Sequence, residues 1–480
     1  MMKTVKLKST LGLATVSTIA LLGGIAWAAG GAGLLDVTFG AGEDDGTQAG
    51  VVSTSLGDGN DMAEDLSVGA DGTVVVVGNR DNGKSNDIVL VRYTTDGSFD
   101  GSFGAGEDDG TSAGVVNISL GEGNDFGTAV AAQADGKLVV AGYHEDGAST
   151  NMVVLRVNTD GTLDQSFGTS NDGTENGIVN ISLGEGNDIA RDIAVQADGK
   201  IVIAGDSVVA DGSSNIIVAR LNADGSVDES FGQSEDGTPN GFIATSLGNG
   251  DDKANALVLQ ADGKIVVAGN RVAEDGSSNI LVARYDAAGV PDASFGAAGD
   301  DGTPEGFVNL SLGDGNDVAR DVALQADGKI VVVGDSVAAD GSSNFVLAQL
   351  NADGTADEAF GVSEDGTPNG FVSTSLGEGS DFATGLAVQA DGKLVVAGYH
   401  QEGESTNIAV ARYTATGELD QTFGQADDGT ENGIVNISLG DGDDIANAVA
   451  LQGDKLVIVA GTTTAADASK NIAVLRLTAE

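Results

Sequence analysis

The chain has no cysteine, four prolines, two histidines and one tryptophan in 480 residues, and aromatic residues make up 4%. Without cysteine there are no disulfides, no thiolate metal site, no cysteine nucleophile and no lipid-attachment residue. Two histidines argue against a histidine-built metal centre. Basic residues are few, 22 Lys and Arg against 73 Asp and Glu, for a net charge of −51. That balance speaks against nucleic acid or an anionic membrane as partner, because both need basic surface. Past the first 28 residues, no stretch combines helix caps with sustained 3.6-residue spacing.

What is present is a hydrophobic fraction of 41%, enough for a core, together with 74 glycines. Residues 1–28 read as a secretory signal. Lys3, Lys6 and Lys8 precede a mostly apolar stretch from Leu11 to Ile25, and Ala26-Trp27-Ala28 supplies the small-x-small cleavage pattern. A retained membrane anchor is the other reading, but the stretch is short and carries Thr15, Ser17 and Thr18. Cleavage would leave a net charge of −54, since three basic residues and no acids lie in that segment. The expectation is a secreted or periplasmic monomer that does not insert in the membrane after cleavage.

The rest of the chain is one unit seven times over. Phe-Gly recurs at Phe39, Phe103, Phe167, Phe231, Phe295, Phe360 and Phe423, at spacings of 63 to 65 residues. Ser-Leu-Gly begins at Ser55, Ser119, Ser182, Ser246, Ser311, Ser375 and Ser438, and an Ala-Asp-Gly-Lys-like string keeps the same period. In the third unit, 177–183, 191–196, 200–205 and 215–221 read as four short Val- and Ile-rich strands bounded by turn residues. Asp198-Gly199 between two of them predicts a type I′ hairpin, in which both central residues have positive φ. The apolar runs are continuous rather than alternating, as in strands covered on both faces.

Four antiparallel strands per unit predict a blade, and seven blades predict a closed all-β propeller. A β-solenoid would have shorter coils, and separate sandwiches would need about 100 residues each. The expected organisation is a signal at 1–28 and one propeller over 29–480, in units 39–102, 103–166, 167–230, 231–294, 295–359, 360–422 and 423–480. Residues 34–38 (Leu-Leu-Asp-Val-Thr) supply at the N-terminus the segment that the last unit lacks, so they are expected to close the ring.

The string DGKIVVAG from Asp262, followed by LVARYDAAGVPDASFG through Gly296, resembles the bacterial delta-60 repeat family. The resemblance covers residues 34–480. It implies a propeller-like repeat in exported bacterial proteins and brings no common activity.

Four groups of residues are candidates for a role. The first is the Leu-Gly-x-Gly-x-Asp segment, which resembles a fragment of a calcium-binding nonapeptide. Asp58, Asp61, Asp125, Asp188, Asp252, Asp317, Asp381 and Asp444 are the candidate calcium ligands there; the plainer reading is a glycine turn capped by aspartate. The second is the acidic loop after Phe-Gly, as at Glu43-Asp44-Asp45 and Asp427-Asp428. The third is the arginine of the fourth strand (Arg92, Arg156, Arg220, Arg284, Arg412 and Arg476, with Gln349 in one unit), read as a structural ion pair. Its expected partners are Asp100, Asp164, Asp228, Asp292 and Asp420. The fourth is the pair His144 and His400, four repeats apart and so read as block duplication rather than a shared metal site.

The unit reads as uniform, with no copy broken by an active site. The sequence therefore points to a non-enzymatic exported module binding a protein or glycan, with no certain cofactor beyond candidate calcium. The alternatives are a carboxylate-based glycan hydrolase or lyase at the central channel, and a structural envelope or matrix protein.

Overall fold

A computed structural model describes residues 32–40, 49–104, 113–147, 149–168, 177–183, 186–232, 240–248, 250–273, 276–296, 305–312, 315–361, 370–424 and 433–480. The signal segment 1–28 and the acidic loops at 43–45 and 427–428 lie outside the described residues.

The described residues form seven four-stranded antiparallel sheets, the blades of a seven-bladed β-propeller. Blade 3 shows the pattern. Its strands are Asp188–Val195, Ile201–Val208, Ser214–Leu221 and Phe242–Thr245, hydrogen-bonded in that order. The innermost strands of the other blades are Asp61–Val68, Asn124–Ala132, Asp252–Leu259, Asp317–Leu324, Asp381–Val388 and Asp444–Gln452 (blades 1, 2, 4, 5, 6 and 7). These seven touch one another in a closed ring around the central channel.

Two sequence expectations change here. The segment 177–183 does not join the blade of the three strands that follow it. Ile178–Ile181 pairs with Ser149–Val157 as the outer strand of blade 2, so each blade borrows its outer strand from the next repeat. The repeat and the blade are thus out of phase by one strand. The hairpin at Asp198-Gly199 is also of another type. Gly199 N–H bonds the Gln196 carbonyl and Gln196 N–H bonds the Lys200 carbonyl, with positive φ at Gly199 alone. This is a type I turn followed by a left-handed glycine, the three-residue hairpin.

The phase shift explains the closure. Blade 7 has three strands from the C-terminal end, Asp444–Gln452, Leu456–Thr464 and Lys470–Thr478, and takes Val51–Thr54 as its fourth. Residues upstream reinforce the seam. Leu35 bridges Leu477, Asp36 N–H bonds the Arg476 carbonyl, and Asp36 Oδ2 pairs with Arg476 at 2.8 Å.

The core is divided among the seven blade interfaces. Between blades 2 and 3, for example, Val139, Ala141, Met152 and Val154 pack on Ile193, Ile201, Ile203 and Ile217, all buried. A strand covered on both faces must be apolar at successive positions, which is why the runs do not alternate.

Ala468 is the sole non-glycine with positive φ among the described residues, at 70°. It occupies the left-handed position that Gly212 and Gly341 hold in the corresponding hairpins of blades 3 and 5. A Cβ there costs roughly 1 kcal/mol. Ala468→Gly is expected to stabilise the protein by about that amount in urea unfolding.

Candidate functional site

The fourth-strand arginines are structural. Each lies in the outer part of a knot that fastens two blades. In blade 3, Arg220 Nε bonds Asp228 at 2.7 Å, its Nη1 reaches the Ala287 carbonyl of blade 4 at 2.6 Å, and its guanidinium lies 4.4 Å above the Phe231 ring. The aspartates eight residues downstream are the partners, as the spacing suggests: Asp100, Asp164, Asp228, Asp292 and Asp420. The Phe of Phe-Gly is the cation–π partner in all six knots. In blade 5, where Gln349 replaces arginine, Lys329 holds Asp357 at 2.7 Å.

Burial alone would raise these aspartates. Hydrogen bonds from lysine, serine or threonine, and arginine outweigh it and hold Asp164, Asp228 and Asp292 well below the usual carboxylate range, with Asp420 at about 2. A lowered folded-state pKa contributes stability that is complete above the unfolded value near 3.8 and is lost as pH falls toward the folded one. The urea midpoint is therefore expected to hold from pH 5 down to 4 on account of these groups and to fall steeply from pH 4 to 2.

The candidate calcium ligands sit at the start of the inner strands. Asp61, Asp125, Asp188, Asp252, Asp317, Asp381 and Asp444 are buried, and each turns Oδ2 back onto the N–H of the leucine five residues earlier, at 2.6–2.8 Å. Asp58 is exposed on the loop. The second oxygen faces the cross-strand residue, which is His144 for Asp125 and His400 for Asp381, both at 2.5 Å, and Thr463 for Asp444 at 2.6 Å. Burial pushes Asp61, Asp125, Asp252, Asp317, Asp381 and Asp444 upward against the pull of the leucine N–H. Among the described residues, no group of three Asp, Glu or His side chains is placed to hold a metal. In the described residues the arrangement is a turn clamp, one carboxylate oxygen holding its own loop's leucine N–H. Each histidine serves its own blade's aspartate.

The channel carries what the sequence reading passed over. Every inner strand has a β-bulge after its third or fourth residue, for example between Ala190 and Asp192 in blade 3. A glycine stands opposite it. At Gly205, a Cβ would come within 2.0 Å of the Ile189 carbonyl oxygen. The two residues at the bulge take five forms around the ring, with Arg-Asp and Asn-Ala each used twice: Glu64-Asp65, Thr128-Ala129, Arg191-Asp192, Asn255-Ala256, Arg320-Asp321, Thr384-Gly385 and Asn447-Ala448.

These side chains tie each inner strand to the next. Asp65 accepts from Val130 N–H at 2.8 Å, Asp192 from Leu257 N–H at 2.6 Å and Asp321 from Leu386 N–H at 2.7 Å. At the other four joints a neutral group donates to a carbonyl: Thr128 to Ala190, Asn255 to Ala319, Thr384 to Ala446 and Asn447 to Ala63, at 2.5–2.9 Å. Seven joints close the ring. The N–H groups of Val130, Leu257 and Leu386 lie on the free edges of their inner strands, so the three carboxylates face the channel.

Burial raises Asp65 to about 7, Asp192 to about 6 and Asp321 to about 8, and mutual repulsion adds to it for Asp65 and Asp321. Burial also raises Glu64 to about 7, against the pull of Lys470. Beside the channel, Phe126 stacks on Tyr143 in blade 2 and Phe382 on Tyr399 in blade 6, with ring centroids 4.7 and 4.9 Å apart. Both tyrosines are half-buried. Other blades have Asn79, Asp206, Asn270, Asp335 and Thr462 at that position.

Two strings match catalytic motifs by spacing alone. Gly78 to Ser85 has the spacing of a phosphate loop, but it runs through a β-hairpin and opens no helix. Residues 110–114 read Gly-Thr-Ser-Ala-Gly, and residues 110–112 lie outside the described ones.

Fold and sequence define a repeat β-propeller, with a uniform frame and a channel that varies by blade. Residues 69–103, 133–167, 196–231, 260–295, 325–360 and 389–423 match the family described as a domain of unknown function (DUF5122) beta-propeller. No curated protein matches the chain. Among solved structures, the polysaccharide lyase Uly1 is 11% identical, with 92% of this chain and 95% of that one covered and a TM-score of 0.46. A protein of unknown function from Dyadobacter fermentans is 11% identical over 91% of this chain and 100% of its own, with a TM-score of 0.44. An inactive virginiamycin B lyase from Staphylococcus aureus is 10% identical over 88% and 98%, with a TM-score of 0.42. At these values the likenesses carry no function to this chain.

Proposed function

We propose that the protein is an exported, non-enzymatic propeller of the delta-60 repeat type, and that it binds a protein or glycan at the mouth of its channel. One observation carries this. The frame residues (Arg–Asp knot, Phe-Gly, turn aspartate) recur around the ring, while blade-specific residues gather at the channel bulges and the Tyr143 and Tyr399 positions. Uniformity outside and variation inside is the pattern of a scaffold that presents one site. The exported location rests on the 1–28 segment and on an acidic surface suited to solubility.

A second reading is favoured by the same channel: a glycan hydrolase or lyase. Half-buried aromatic pairs and carboxyls raised toward neutrality, from unlike blades, are the groups such chemistry uses. Incubating the mature chain with a panel of immobilised and soluble polysaccharides and proteins separates the two. Retention without new reducing ends or new unsaturation supports the binding module. Turnover of any polysaccharide overturns it in favour of the enzyme. Failure to retain any polysaccharide while a protein is retained removes the glycan branch, and failure to retain any member of either kind counts against the binding module.

A further inference from the structure

We propose that the channel is a proton-responsive element in which three of the seven inter-blade joints titrate and four do not. The titrating joints are those of Asp65, Asp192 and Asp321, which link blades 1 to 2, 3 to 4 and 5 to 6. The joints of Thr128, Asn255, Thr384 and Asn447 carry no ionisable group.

The geometry behind this is the bulge. Each aspartate accepts two backbone N–H groups, one from the residue after it and one from the neighbouring blade. No described cation is ion-paired to any of the three; Arg191 and Arg320, next to them in sequence, are turned to Asp206 and Asp335. Glu64 adds a fourth carboxyl beside Asp65, bonded to Asn79, and Lys470 is the cation that faces it. Blades 2, 4, 6 and 7 place Ala129, Ala256, Gly385 and Ala448 at the same level, and Lys253, the cation on blade 4's inner strand, lies 3.9 Å from Asp251. Asp65, Asp192 and Asp321 therefore meet one another's field across the channel with only backbone dipoles to offset it.

Two consequences follow from that placement. Below neutrality the three joints are uncharged hydrogen-bonded carboxyls and the ring is evenly held. Above neutrality they ionise, repel across the channel, and load the three joints that carry them while the other four are untouched. With Glu64 beside Asp65, the channel's charge swings by about four over the same interval, so any ligand seated at its mouth meets a different field on either side of neutral pH. The sign is that of raised carboxyls: stability is greatest below their unfolded values and declines as pH rises through the folded ones.

The test compares the whole mature chain with the triple variant Asp65→Asn/Asp192→Asn/Asp321→Asn. Hydrogen-ion titration of the folded proteins between pH 9 and 5 is expected to show about three fewer protons taken up by the variant. The melting temperature of the wild type is expected to fall from pH 5 to 9 more than that of the variant. If the triple variant does not fold, Asp321→Ala alone, which copies the residue of blades 2, 4 and 7, is expected to take up about one proton fewer. Equal proton uptake by wild type and variant over this range would overturn the proposal, since the three carboxyls would then titrate near their ordinary values.

Discussion

Removing residues 32–54 from the chain is expected to abolish cooperative unfolding. The deletion takes the outer strand of blade 7, Val51–Thr54, and with it the register that zips Val51 to Leu475 through Thr54 to Ile472. It also removes Phe39, which is fully buried beneath Arg476, and Asp36, the ionic partner of that arginine. Burying one large apolar side chain is worth about 1.5–3 kcal/mol, and leaving a buried charge unpaired costs about 3–5 kcal/mol. With the two valines included, the loss is on the order of 10 kcal/mol, comparable to the whole stability of an ordinary domain. A truncated chain that melted as sharply as the full one, at a similar temperature, would mean that the last blade stands without its borrowed strand.

The second large effect is expected at an interior knot. Arg220→Met keeps the apolar stem and removes the charge. Asp228 would keep Lys200 at 2.8 Å and Ser230, but it would lose its closest cation, and the Ala287 carbonyl of blade 4 would lose its donor. Arg220 and Asp228 are both largely buried, with side chains 6% exposed. Breaking a buried pair from one side costs about 3–5 kcal/mol, and the surviving lysine places this case at the lower end, about 3 kcal/mol. Blade 5 shows why the loss need not be fatal. There Gln349 turns to Gln325 at 2.8 Å, and Lys329 alone holds Asp357. Urea unfolding of Arg220→Met against wild type checks the value. A change under 1 kcal/mol would mean that the knot is decorative.

Much of the frame can be read from residues alone, because repetition turns weak local signals into strong ones. The seven units, the four strands, the Arg–Asp pairs and the meeting of the two ends all rest on residue types recurring at one spacing. The phase of the blade could not be read that way. A short outer strand such as Ile178–Ile181 is equally apolar whichever neighbour it joins, and only hydrogen bonding to Ser149–Val157 decides. The turn at Asp198-Gly199 was legible as a hairpin and not as a type, since Asp-Gly serves both I′ and the type I turn with a left-handed glycine.

The channel was missed for a related reason. A repeat search rewards sameness and treats differences as noise, so Asp65, Asp192 and Asp321 vanish into columns shared with alanine and glycine. Aligning the seven inner strands and asking where they disagree would have exposed them. The glycine opposite each bulge (Gly78, Gly142, Gly205, Gly269, Gly334, Gly398 and Gly461) was the available sign that the strand carries an extra residue there. The glycine-rich acidic string was legible as a turn capped by aspartate, and each of the seven loops places one buried carboxylate on its own leucine N–H.

The most direct measurement is capture by residues 29–480 and by the same chain carrying Tyr143→Ala/Tyr399→Ala, on whichever polysaccharide or protein the wild type retains, with melting temperature read on both. Tyr143 and Tyr399 have no part in the knots or the ring joints, so the variant is expected to melt within a few degrees of wild type and to lose at least tenfold in retention. Full retention by a folded variant would contradict the account, because the ligand would then sit on the repeating frame and not at the channel mouth.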